Sequence, residues 1–145
     1  MKAELSRVHW GRILLTSILI VILVIILNTV LLLLATQIWG PPSQAHQITY
    51  LVATWSTFVL QLVLTVVGAV WVARKEESGA PLHGFLVGLV VALILFIFNP
   101  ALTNFLQGAY RGRLDLLVVA LGTFFLTVAA GWLGGVLGRR GREKS

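Results

Sequence analysis

The sequence predicts an all-α fold: a polytopic bundle of four membrane-spanning helices, built as two tandem hairpins. Three observations carry this. Of 145 residues, 58% are hydrophobic and only 11% are charged, under half the charged share with which a soluble domain covers its surface. Between Arg12 and Arg74 there is no Asp, Glu, Lys or Arg, an interval long enough for two crossings of a hydrocarbon core about 30 Å thick. Two further apolar runs follow, separated by short polar or charged segments.

The first span is expected over 13–38. Its core, ILLTSILIVILVIILNTVLLLLA, is almost unbroken Leu, Ile and Val, and it stops at Trp39-Gly40-Pro41-Pro42, where tandem prolines cannot continue a helix. The preceding flank is positive, as in a secretory signal. The apolar run far exceeds a signal's 7–15 residues, so the segment is expected to be kept as a helix. The second span covers 48–73, between SQAHQ and RKEESGAP. The third covers 82–106. It is interrupted at Asn99-Pro100, and a kink is expected there, because 82–98 alone is short for a straight crossing. The fourth covers 114–137 and leads into RRGREKS. Together these make one transmembrane domain, 1–145.

Charge and aromatic residues set the orientation. Lys2, Arg7, Arg12, Arg74, Lys75, Arg139, Arg140, Arg142 and Lys144 fall on one side; only Arg111 and Arg113 fall on the other. The positive-inside rule then predicts both termini in the cytoplasm of a cell's inner membrane. Trp10 and Trp71 mark the inner boundary, and Trp39, Tyr50 and Tyr110 the outer one. The formal charge of +6 sits at span ends, so its counterpart is the lipid bilayer with its anionic headgroups, not nucleic acid. The basic tail lacks the aromatic interleaving a nucleic-acid site would add.

The two halves resemble each other. TFVLQLVLTVVGAVWVAR from Thr57 and TFFLTVAAGWLGGVLGRR from Thr123 share their opening Thr-Phe, one Leu, Gly68 with Gly134, and Arg74 with Arg140. This is consistent with a parallel repeat and also with chance matching of short apolar strings.

Polar groups inside the spans are the candidate site residues. Asn28, Gln61, Asn99 and Asn104 are amides that would be costly facing lipid. They line a polar path or make interhelical contacts worth about 1 kcal/mol each. Gln61 stands out, near the middle of its helix. The hydroxyls Thr16, Ser17, Thr54, Ser56, Thr57, Thr65, Thr123 and Thr127 can bond their own helix carbonyls and need no ligand to explain them. Gly84 and Gly88, Gly131 and Gly135, and Gly134 and Gly138 form GxxxG pairs, which allow close helix approach within the bundle or between copies. Helix one has no glycine between Gly11 and Gly40 and is expected to form a lipid-facing wall.

No catalytic, cofactor-binding or metal-binding residue is assigned, and no cofactor is expected. The sequence contains no HExxH, GxSxG, P-loop or paired intramembrane Asp, and no cysteine, so thiolate chemistry and disulfides are excluded. His9, His46 and His83 lie near span ends. His9 and His83 share the inner side, and an interfacial role fits them better than a shared metal.

The opening RVHWGRILLTSILI, with three further spans behind it, resembles small four-helix integral membrane proteins of bacteria whose function is uncharacterised. The resemblance implies a bacterial inner-membrane location and supplies no functional residue. Two functional readings follow. The first is a non-enzymatic protein acting through helix packing, as a homodimer, a partner subunit or a membrane organiser. The alternative is a small, dimeric transporter or channel whose path is lined by the intramembrane amides.

Overall fold

The computed structural model describes residues 9–39, 47–75, 79–98 and 114–143. It is an all-α bundle of four helices: α1 (Trp10–Trp39), α2 (Gln47–Arg74), α3 (Ala80–Ile97) and α4 (Leu114–Glu143). All four are long and apolar enough to cross a membrane. Asn99, Asn104, Tyr110, Arg111, Arg113 and His46 lie outside the described residues, as do the side chains of Trp39, Tyr50 and Thr54.

The surface is that of a protein solvated by lipid. Leu15, Ile18, Ile22, Ile26, Val59, Val63, Val67, Phe125 and Leu126 are among many large apolar side chains left exposed. A monomer in water does not show so continuous an apolar surface. Among the described side chains of α1, only Ile13, Thr16, Ser17, Ile20, Val21, Val24 and Ala35 are buried. This is a three-and-four spaced stripe that leaves the rest of the helix to lipid.

α3 starts just after Gly79, whose φ of 73° is left-handed. That conformation is accessible to glycine at little cost, and it turns the chain into the helix with Pro81 in the first turn. The described helix ends at Ile97, where the Phe98 N–H bonds the Ile94 carbonyl at 3.1 Å. At 18 residues it rises about 27 Å, just under the core thickness. Continuation past Asn99-Pro100 falls outside the described residues.

α4 is the packing hub, in extensive contact with α3 and α2. α1 lies against α2 and α3. The helices alternate in direction, so Trp10, Arg12, Arg74, Lys75, Arg139 and Arg140 collect at one end. There the guanidinium of Arg74 lies beside Gly141, and Lys75 Nζ sits 4.2 Å over the Trp71 ring, a cation–π contact at the boundary.

Near this basic end the helices touch backbone to backbone. A Cβ on Gly84 would stand 2.5 Å from Gly135 Cα, and one on Gly131 would stand 2.5 Å from Gly88 Cα. On the other flank of α4, a Cβ on Gly134 would meet the Val66 carbonyl oxygen at 2.5 Å, and one on Gly138 would meet Ala73 Cβ at 2.7 Å. All six glycines of the GxxxG pairs are thus in contact within this one chain. Gly68 differs. Its Cβ would meet Ile20 Cδ1 at 2.7 Å and Thr16 Cγ2 at 3.0 Å, which are side-chain ends that can rotate away. Gly68→Ala should therefore cost no more than about 1 kcal/mol, measured as a shift in the detergent-unfolding equilibrium. A loss as large as that of a backbone-facing glycine would show α1 to be as tightly held as α4. Gly68 and Gly134, equated by the internal alignment, pack on different helices: Gly68 on α1 and Gly134 on α2.

Candidate functional site

Side-chain size changes along the inward-facing stripes of α2, α3 and α4, from Gly and Ala at the basic end to larger residues beyond. On α3, at four-residue spacing, it goes Gly84, Gly88, Ala92, Phe96. On α4, from the basic end, it goes Gly135, Gly131, Thr127, Thr123, with Phe124 alongside. On α2 it goes Ala73, Ala69, Thr65, Gln61, Thr57. Small residues bring the helices together at the basic end; larger ones hold them apart at the other. The result is a cavity of about 500 Å³ between all four helices in the half away from the basic end. Ligand pockets commonly measure about 300–1,000 Å³.

The wall is mostly apolar, made of Val, Ile, Leu and Ala together with Phe58, Phe96, Phe98 and Phe124. Phe96 and Phe124 meet edge to face, with centroids 5.7 Å apart, a favourable arrangement of ring quadrupoles. Into this apolar wall five polar side chains converge: Asn28, Thr57, Gln61, Thr123 and Thr127. Among the described residues, none that lines the cavity is charged.

The polar groups form two tiers. At the floor, Gln61 Nε2 donates to Thr127 Oγ1 at 2.8 Å, tying α2 to α4. One helical turn outward, about 6 Å, Thr57 Oγ1 donates to Asn28 Oδ1 at 3.3 Å, tying α2 to α1. Several hydroxyls also bond their own helix. Thr127 donates to the Thr123 carbonyl, Thr123 to that of Ala120 and Thr65 to that of Gln61. Ser17 donates instead across to the Val87 carbonyl of α3 at 3.4 Å. Thr16 Oγ1 is buried with no hydrogen-bond partner.

Of the four amides singled out by sequence, two are therefore brought to one cavity. Asn99 and Asn104 lie outside the described residues. Thr123 and Thr127 bond their own helix, and self-bonding does not stop a side chain from lining a cavity. A signal was present: the internal alignment equates Gln61 with Thr127 and Thr57 with Thr123, and both pairs face this space. His83 is buried away from it, with Nδ1 3.0 Å from the Gly79 carbonyl oxygen. Among the described residues no group of three or more His, Cys, Asp or Glu could hold a metal.

Compared with known protein families, curated proteins and solved structures, the chain finds no match.

Proposed function

We propose that this protein is a non-enzymatic, membrane-embedded receptacle for a small uncharged molecule, entered from the side opposite its basic end. The basic end faces the cytoplasm of a bacterial inner membrane, by the positive-inside rule. The observation that carries this reading is the convergence of Asn28, Gln61 and three threonines on one cavity between the four helices. Polar groups kept in hydrocarbon without a ligand or water contribute little stability, and a lined space gives them a use.

The cavity is one-sided. Below the Gln61–Thr127 bond the glycine contacts close the helices, so the arrangement suits capture of a solute, or one end state of a transport cycle, better than an open channel. A role solely as a packing partner has less support, because the chain's own helices occupy the glycine faces that favour it.

Since the sequence has no cysteine, single-cysteine variants test the reading without background. In intact cells, Thr123→Cys and Ala92→Cys should react with a membrane-impermeant maleimide about tenfold or more faster than lipid-facing Val67→Cys. A thiol in hydrocarbon cannot ionise, and each unit of raised pKa cuts the thiolate fraction about tenfold. If the cavity variants are as inert as Val67→Cys from both sides, the reading fails. Labelling confined to inverted vesicles would reverse the orientation and keep the cavity.

A further inference from the structure

The hydrogen bonds inside the cavity determine which kind of ligand it can satisfy. The Thr127 proton goes to the Thr123 carbonyl, so Thr127 Oγ1 can only accept, and the Gln61 amide must turn its nitrogen toward it. The Thr123 proton is committed to Ala120. The Thr57 proton goes to Asn28 Oδ1, which leaves the Asn28 NH2 as the outer donor. The donors still available to a ligand are thus amide N–H groups: one on Gln61 at the floor, and those of Asn28 a turn above. Buried N–H groups without partners are rarer in proteins than carbonyl oxygens with spare lone pairs, so the donors are the groups a ligand must answer first. With no charged lining residue among those described, a charged ligand would have no counter-ion here.

We infer that the cavity selects an uncharged, lipophilic molecule bearing carbonyl oxygens, which accept from the amide N–H groups of Gln61 and Asn28 while its apolar body lies against Phe58, Phe96 and Phe124. This rests on the binding reading above and adds the chemistry of the ligand. Two sources supply such a carbonyl, a free ring compound and a lipid ester.

Probes of matched shape test it. The whole protein in detergent is unfolded thermally with durene (no oxygen), durohydroquinone (two donors) or duroquinone (two carbonyl acceptors). Ethyl decanoate serves as the chain-ester arm. Bound ligand raises the midpoint by mass action. Duroquinone should bind about threefold to tenfold more tightly than durene or durohydroquinone, the worth of a net hydrogen bond. That preference should vanish in Gln61→Met with Asn28→Leu, and all shifts should vanish in the cavity-filling Ala92→Phe. If ethyl decanoate shows the stronger Ala92-dependent shift, the carbonyl source is a lipid ester; if duroquinone does, it is a free ring compound. Equal binding of durene and duroquinone would overturn the carbonyl preference and leave the receptacle standing. Absence of any shift, or shifts unchanged in Ala92→Phe, would overturn both.

Discussion

Replacing Gly131 with alanine should destabilise the bundle by about 2–4 kcal/mol, an effect matched among the described glycines by Gly84→Ala, whose Cβ would meet the facing backbone as closely. The Cβ added at Gly131 would stand 2.5 Å from Gly88 Cα and 2.6 Å from the Gly84 carbonyl oxygen. Both are backbone atoms, so no rotamer change relieves the overlap and α3 must move off α4. Lipid offers no hydrophobic drive to hold the pair together once close van der Waals contact is lost. Gly122 is the control, because nothing lies within 4 Å of its Cβ position. Gly122→Ala should change stability by no more than about 0.5 kcal/mol. An SDS-unfolding equilibrium or a steric-trap measurement reads both variants. Equal, small effects would show that the glycine contact does not hold the bundle. Because α3 and α4 also wall the cavity, Gly131→Ala should alter maleimide access at Thr123→Cys in the same preparation.

Val63→Lys is expected to cost about 2.5–3.5 kcal/mol of insertion free energy. Val63 is 51% exposed near the middle of α2, and an ammonium there must face hydrocarbon or drag water to it. Gln61→Lys, two residues away, should cost at least about 1 kcal/mol less, even though it also breaks the bond to Thr127. On the proposed reading, its ammonium would enter the cavity and keep part of its hydration there. A glycosylation-based insertion assay on the two variants gives the comparison directly. Equal penalties would mean that the cavity is as dry as the lipid and would count against the proposed receptacle.

Part of this was legible in the chain. The charge-free interval from Arg12 to Arg74 leaves room for two crossings, and the apolar runs over 82–106 and 114–137 supply two more. The bulk of α1 marked it as an outer wall, and the structure leaves most of its side chains exposed. Gln61 stood out because an amide at mid-helix needs a partner. Its partner did not stand out, because Thr127 looked fully explained by its own helix. Ala92, Phe96 and Phe124 carry no signal of their own in the sequence, since small and aromatic residues are ordinary in such helices. The size gradient Gly84, Gly88, Ala92, Phe96 could have been read directly from the sequence, but its meaning depends on the facing helix tapering the same way.

By itself, then, the sequence determined that this is an integral membrane protein with four helices long and apolar enough to cross, and that most of its basic residues flank the spans on one side, with Arg111 and Arg113 on the other. Transfer free energy and the positive-inside bias act on local composition and need no knowledge of neighbours. Only the tertiary structure decided which face of each helix turns inward, that α4 is the hub, and that Asn28 and Gln61 share one cavity in the half away from the basic end. Helices apolar on nearly every side carry little amphipathic signal, and lipid does not distinguish one face from another. Their rotation is set by glycine-on-backbone contact and by amide–hydroxyl pairs, both of which exist only once the helices have met.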